Sequence, residues 1–242
     1  MKILLISDIH SNITALNAVL EDAGDVDAVW CLGDLVGYGP EPDASIARVR
    51  ELPNLLCIMG NHDAAVTGLR NIDKFNNEAE QAILVTRSII KPDSVEYLKT
   101  LPETIETETA ILAHGSPRNP IWEYILDSLT AKMSLAFIHK DICFVGHTHL
   151  PVCFIHDVKT DKMTKKSFKS GEEISIHDQM ILNPGSVGQP RDHDPRASYG
   201  IYDPDAKTWL VVRVEYDIPS VQKRIIEVGM PEKHALRLAE GW

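Results

Sequence analysis

A chain of 242 residues, 44% hydrophobic and 24% charged, has ordinary globular composition and enough length to bury a substantial core. Its 24 Lys and Arg against 35 Asp and Glu leave a formal charge of −11, which disfavours non-specific nucleic-acid binding and makes a nuclease the weaker choice. No stretch approaches a membrane span, and no linker, repeat or low-complexity tract interrupts the sequence, so residues 1–242 are expected to form a single domain.

The apolar run Ile3 to Ile6 reads as a buried strand that stops at Ser7-Asp8-Ile9-His10. Asn12 is a good N-cap for a helix carrying Ile13, Leu16, Val19, Leu20 and Ala23 at helical spacing. Ala28 to Leu32 is the second strand and ends at Gly33-Asp34; a Gly37-Tyr38-Gly39-Pro40 turn and a helix from about Pro42 to Leu52 follow. Leu55 to Met59 is the third strand, ending in a Gly60-Asn61-His62-Asp63 loop, and Asn77 to Ile90 reads as a longer helix. Asp93 with Glu96 resembles a capping box for a short helix that closes near Leu101-Pro102. Ala110 to Ala113 stops at His114-Gly115, and Ile142 to Val145 stops at Gly146-His147-Thr148-His149.

Up to this point strands alternate with helices, as parallel βαβ units require. The remainder differs: Val152 to Val158, Lys166 to Phe168, Glu173 to Ile176, Met180 to Leu182, Ser198 to Tyr202 and Trp209 to Tyr216 are strand-like runs joined by short polar turns, which favours antiparallel pairing. Helices over about Ser220 to Val228 and Pro231 to Ala239 close the chain, with Gly229 as the stop between them. The expected class is α/β: a two-sheet β-sandwich flanked by helices, with mixed parallel and antiparallel pairing. Cys31, Cys57, Cys143 and Cys153 sit inside apolar runs without Cys-x-x-Cys spacing and read as buried, reduced thiols.

Five strands thus end on residues that bind metals. If they lie side by side in one sheet, their carboxyl ends place Asp8, His10, Asp34, Asn61, His114, His147 and His149 along one edge. Two divalent cations roughly 3.5–4 Å apart need a bridging anion, for which Asp34 is the natural choice, and terminal ligands on either side. Asp8 and His10 reach one ion only if the chain turns at once, because continued extension sends neighbouring side chains to opposite faces. The all N/O donor set suits Mn, Fe, Co, Ni or Zn better than Mg or Ca, with Mn the first choice. Gly33, Gly60, Gly115 and Gly146 flank these residues where a backbone must turn sharply or approach an ion. His62 follows Asn61, points elsewhere, and is the candidate general acid. Each motif alone also has a plain reading as a capping loop, a surface pair or a turn; the set of five is what argues for metal.

At these residues the sequence resembles the calcineurin-like metallophosphoesterases, whose pattern is Asp-x-His, Gly-Asp, Gly-Asn-His-Asp/Glu, His and Gly-His-x-His. The resemblance implies an αββα sandwich, a first metal held by Asp8, His10, Asp34 and His149, a second held by Asp34, Asn61, His114 and His147, and His62 as the catalytic histidine. Asn183 to Arg191 and Asp194 to Tyr199 look like a compact bacterial and archaeal branch of small phosphoesterases and phosphodiesterases, extending the resemblance over nearly the whole chain. Asn12, Arg191 and Arg196 are the candidate substrate contacts, although either Arg serves equally well in a surface ion pair. One departure stands out: protein Ser/Thr phosphatases carry Asp and Arg shortly after the bridging aspartate, where this chain has Gly37 and Tyr38.

The expected activity is metal-dependent hydrolysis of a small phosphate ester, with phosphodiesters favoured over dinucleoside polyphosphates, monoesters and phosphoproteins. A non-catalytic scaffold is the alternative from another class. The loop from Arg118 to Asp127, with Trp122 and Tyr124, is placed to cover the site. The short apolar start before Asp8 is no signal h-region, so a cytoplasmic location is expected, with no membrane partner. The terminal helices, with Leu236, Leu238 and Trp242, are free to pack on the core or on a second subunit.

Overall fold

The computed structural model describes residues 1–242 and contains two six-stranded mixed sheets. The first sheet is built from β1 (Ile3–Ile6), β2 (Ala28–Cys31) and β3 (Leu56–Cys57), all parallel, extended by β11 (Ala197–Asp203), β12 (Thr208–Val214) and β9 (Glu172–Ser175) in the order β3-β2-β1-β11-β12-β9. The second runs β4-β5-β6-β10-β7-β8, from β4 (Thr104–Glu106), β5 (Ala110–Ala113) and β6 (Ile142–Phe144) through β10 (Gln179–Pro184) to β7 (Pro151–Asp157) and β8 (Lys162–Ser167). Within it β5, β6 and β10 are parallel and the outer pairs antiparallel.

The five chemically marked strands therefore do not share a sheet. β1, β2 and β3 belong to one and β5 and β6 to the other, so the site edge is formed where two stacked sheets end together. Parallel pairing within each trio or pair still aligns their carboxyl ends, and the order of residues along the chain carries no information about which sheet a strand joins.

Alternation along the strands explains the stacking. In β1, Ile3 and Leu5 face the inter-sheet core with Trp30, Phe144, Leu182 and Trp209, while Leu4 and Ile6 face the helical side with Leu16, Val19 and Ile46. Helices α1 (Ile13–Ala23) and α2 (Pro42–Arg50) cover that outer face, and α6 (Ser128–Ser134) covers part of the second sheet. The Asn12 side chain caps α1 by accepting from Ala15 N at 3.0 Å. Helices α4 (Asn77–Ile89) and α5 (Pro92–Lys99) fall where the spacing predicts, but the N-cap of α5 is Lys91, two residues before the expected Asp93 cap, because Pro at N1 is pre-organised for the helix. β8 begins at Lys162, four residues before the strand expected from Lys166.

Helix α3 (Asn61–Val66) was hidden by turn chemistry: Gly-Asn-His-Asp reads as a loop, and six residues are too few to display a 3.6-residue period. Asp63 starts it by accepting from Gly60 N at 3.0 Å. The terminal helices α7 (Ile218–Glu227) and α8 (Glu232–Glu240) pack back onto this chain, burying Val221, Ile225, Ala235 and Leu238 against Tyr38 and α4. All four cysteines are free and buried, and no helix is long and apolar enough to cross a membrane.

Candidate metal centre

Asp8 and His10 follow β1, Asp34 follows β2, Asn61 and His62 open α3 just after β3, His114 follows β5, and His147 and His149 follow β6. All eight are buried. Three groups of donor atoms lie within 4.8 Å of one another: Asp8, His10 and His149; Asp34, His114 and His147; and His10, Asp34 and His62. Asn61 joins the second group, its Oδ1 lying 3.0 Å from His114 Nε2. The sequence-marked residues are therefore brought together completely.

The backbone makes this possible by local strain. Seven of the eleven non-glycine residues with positive φ are Asp8, His10, Ser11, Asp34, Tyr38, His147 and His149. Such conformations cost on the order of 1–3 kcal/mol each and persist only where surrounding structure enforces them. Asp8 and His10, at φ 53° and 48°, supply the immediate turn that lets both face one point. The glycines play a different part from the one expected. Of Gly33, Gly60, Gly115 and Gly146 only Gly33 has positive φ; a Cβ at Gly60 would overlap Asp34 Oδ1, and one at Gly146 would overlap Ser7 Oγ. They admit close approach between protein segments, while the Asp and His residues do the turning.

Hydrogen bonds fix which ring nitrogens face the centre. His10 Nδ1 donates to Val36 O at 3.0 Å, His114 Nδ1 to Leu32 O at 2.8 Å and His149 Nδ1 to Gln189 O at 2.6 Å. A carbonyl oxygen only accepts, so each Nδ1 carries a proton, and each ring in its neutral form turns an Nε2 lone pair inward. His10 Nε2 and His149 Nε2 then stand 3.2 Å apart, and His149 Nε2 lies 3.3 Å from Asp8 Oδ1. Asp8 Oδ1 and His147 Nε2 are buried with no hydrogen-bond partner. Electron pairs crowded in this way repel unless a cation lies among them, and this all N/O donor set fits a pair of divalent transition-metal ions.

Charge supports the same fit. Burial pushes the Asp8 carboxyl up to about 7, with the Asp34 charge adding to the rise. Burial opposes charge on His114, yet the adjacent Asp34 carboxylate carries it up to about 9. Asp34 is held well below the usual carboxylate range: burial works against this, and the nearby His114 and His62 outweigh it. His10, with burial dominant, falls to about 3. Asp34 Oδ1 accepts from His62 N at 2.8 Å, while its Oδ2 lies 3.4 Å from His114 Nε2 and 3.7 Å from His10 Nε2, between the two groups.

A cavity of about 420 Å³ adjoins the centre, lined by Asn61 and His62 together with Tyr38, Phe75, Trp122, Tyr124, Lys74, Arg191 and Arg237. The expected loop does lie over the site: the Tyr124 ring stacks on His147 at 3.8 Å, and an Arg118–Glu123 ion pair staples the loop. Of the candidate substrate contacts, Arg191 lines the cavity. Arg196 is paired with Asp194 at 2.7 Å, and the Asn12 amide is engaged at both ends, by Ala15 N and by Gly188 O at 3.0 Å. Asp63 is no partner for His62, since its oxygens take Val36 N and Gly60 N. Lys74, Phe75 and Arg237 carry no motif and escape sequence reading. Their only signal is position, since Lys74 and Phe75 precede the Asn76 cap of α4 and Arg237 lies one turn beyond the buried His234.

Residues 1–207 match the calcineurin-like phosphoesterase superfamily domain. A metallophosphoesterase from Sphaerobacter thermophilus superposes with a TM-score of 0.92 at 42% identity, covering 100% of this chain and 99% of that one. The uncharacterized protein MJ0912 of Methanocaldococcus jannaschii is 38% identical over 246 residues, 99% of this chain and 98% of its own length. Phosphodiesterase YfcE of Escherichia coli strain K12 is 27% identical over 232 residues, 91% of this chain and 97% of its own. With the site geometry and these similarities together, the chain belongs to the calcineurin-like phosphoesterase superfamily and is a metal-dependent phosphoester hydrolase.

Proposed function

We propose that this protein hydrolyses small phosphodiesters, nucleotides among them, using two divalent cations, Mn²⁺ foremost. Asp8, His10, Asp34 and His149 hold one, and Asp34, Asn61, His114 and His147 hold the other. The observation that carries this reading is the position of Asp34, buried between both donor groups with one carboxylate oxygen facing His10 and His114. Such cations, when bound, act as Lewis acids on phosphoryl oxygens and lower the pKa of a bound water.

The remaining work falls to the chain. Hydrolysis forms one P–O bond from water and breaks the ester P–O bond, so the departing oxygen needs a proton. His62 is assigned that proton because, unlike His10 and His149, it lines the substrate-sized cavity. Burial holds its imidazole well below the usual pKa, and an anionic phosphoryl group beside it draws that value back up, tying protonation to substrate arrival. Gly37 supports His62: with φ 95° and a hypothetical Cβ only 2.5 Å from His62 Nδ1, the position admits no side chain. An aspartate there is incompatible with this placement of His62, which weighs against phosphoprotein substrates. The four buried free thiols suit a reducing compartment, and a cytoplasmic location is part of the proposal.

Bis(p-nitrophenyl) phosphate and p-nitrophenyl phosphate, assayed with Mn, Co, Ni or Zn added to metal-stripped protein, test this. Faster turnover of the diester is expected; turnover of the monoester alone, or of neither ester with any metal, overturns it.

A further inference from the structure

The cavity beside His62 has the opposite electrostatic character to the protein around it. The chain carries −11 overall, yet no Asp or Glu lines this space, and three cations do: Lys74 just before α4, Arg191 after β10, and Arg237 on α8. None of the three forms an ion pair. Two other cavities mix signs: one of about 330 Å³ at the far ends of β5 and β6 sets Glu108, Asp141 and Asp178 beside Lys140 and Lys207, and a more open one of about 530 Å³ on the other side of Arg237 sets Glu78 beside Lys233, so single-sign lining is no general habit of this surface.

The arginines are also under-bonded. Arg191 donates to Gln189 Oε1 at 2.9 Å, but its Nε is buried with no partner, as is the Nε of half-buried Arg237. Burial and the neighbouring Arg191 charge together act against Arg237, and Glu78, whose charge acts the other way, is engaged by Lys233 at 2.6 Å. Two like charges held together with spare donors are unfavourable until an anion arrives, and a guanidinium fork matches phosphate oxygens in pairs. One wall of the cavity is aromatic: Phe75 meets His62 edge-on at 5.0 Å and Trp122 at 5.2 Å, and the Lys74 ammonium lies 5.2 Å over the Trp122 ring. Arg237 lies on α8, outside the family match at residues 1–207, so the common domain does not supply this cation.

From this we infer that Arg191, Arg237 and Lys74 form a second anion subsite beside the metal centre, which selects substrates carrying two phosphoryl groups in series and a planar ring, as in a nucleoside diphosphate ester. The inference rests on the proposed placement of the scissile phosphoryl group beside His62. The second phosphoryl group then meets the arginines, and the ring meets Trp122 and Phe75. In the reaction, water oxygen bonds to the phosphorus beside His62, the ester oxygen leaves and takes a proton, and the second phosphoryl group is unchanged.

Two p-nitrophenyl esters with the same leaving group decide it, one of a nucleoside 5′-monophosphate and one of the corresponding 5′-diphosphate, assayed with Mn-loaded protein. The diphosphate ester is expected to show a kcat/KM on the order of ten-fold higher or more, an advantage that shrinks toward one in Arg237→Gln and several-fold in Lys74→Gln. No advantage in the wild type, or an advantage untouched in both variants, overturns the inference while leaving diester hydrolysis intact. If neither ester turns over, the reading of the reaction fails, and calorimetry on metal-stripped protein decides the subsite separately. Tighter binding of ADP than of AMP, lost in Arg237→Gln, supports it, and equal binding overturns it.

Discussion

The metal centre and the cavity beside it are built on opposite electrical plans. At the strand ends, carboxylates and imidazole lone pairs are crowded together, and the backbone is strained to hold them there. A few residues away, Lys74, Arg191 and Arg237 are gathered without a carboxylate among them. Each region leaves buried polar atoms unpartnered, Asp8 Oδ1 and His147 Nε2 in one, two arginine Nε atoms in the other. The pairing teaches that local unmet bonding capacity, more than net charge, is what both proposals rest on: cations for the first region, anions for the second.

The hardest blow to that contrast is Asp34→Asn, which removes the charge shared by both donor groups. Turnover is expected to fall on the order of 10⁴-fold with at least one metal lost, as read by kinetics and elemental analysis; retained activity with two bound metals would sink the bridge. His62→Gln should cost about 10²–10⁴-fold in kcat while both metals stay bound, which separates proton donation from metal holding. A fall in metal content would instead make His62 a ligand, as its proximity to His10 and Asp34 allows. Gly37→Ala pushes against the His62 ring, and on the order of ten- to hundred-fold in kcat with little change in KM is expected.

Stability offers a finer probe. Saturating Mn²⁺ relieves the crowded donors, and at about 100 times its Kd should add ~2.7 kcal/mol, raising Tm of metal-stripped protein by roughly 5–10 °C; an equal rise in Asp34→Asn would disconnect the effect from the centre. The smallest effect lies behind the cavity at His234, packed between Tyr38 and the Glu78 carbonyl, with Arg237 and Arg191 nearby. Burial lowers it to about 4 from an ordinary 6.5, so the folded state binds the proton less well than the unfolded chain. Its contribution is present above pH 6.5 and lost as pH falls toward 4. In His234→Gln the decline of Tm over that window should be shallower by a few degrees, and an identical slope would remove His234 from the account.

Legibility differed between the two regions for a physical reason. The candidate donors of the metal centre sit at strand ends, where short apolar runs break at Gly and polar residues, so Asp8, His10, Asp34, Asn61, His114, His147 and His149 stand out by local context. The cavity is assembled from a 3₁₀ turn, a loop after β10, the Trp122 loop and the last helix. Of its members, Arg191 was singled out by a motif and Trp122 and Tyr124 by position, whereas Lys74 and Arg237 look like any surface cation. Arg196, equally prominent in sequence, is bound to Asp194 two residues away.

What the sequence determined by itself was the alternation of strands and helices, the two-sheet class and the list of candidate donors, because these follow from periodicity and from residue chemistry within a few positions. What only the tertiary structure decided was the division of five strands between two sheets, the left-handed backbone at Asp8, His10, Asp34, His147 and His149, and the meeting of Arg191 with Arg237. Those depend on contacts between segments up to two hundred residues apart, such as His10 beside His149 and the C-terminal helix against Tyr38, whose energies no local window contains.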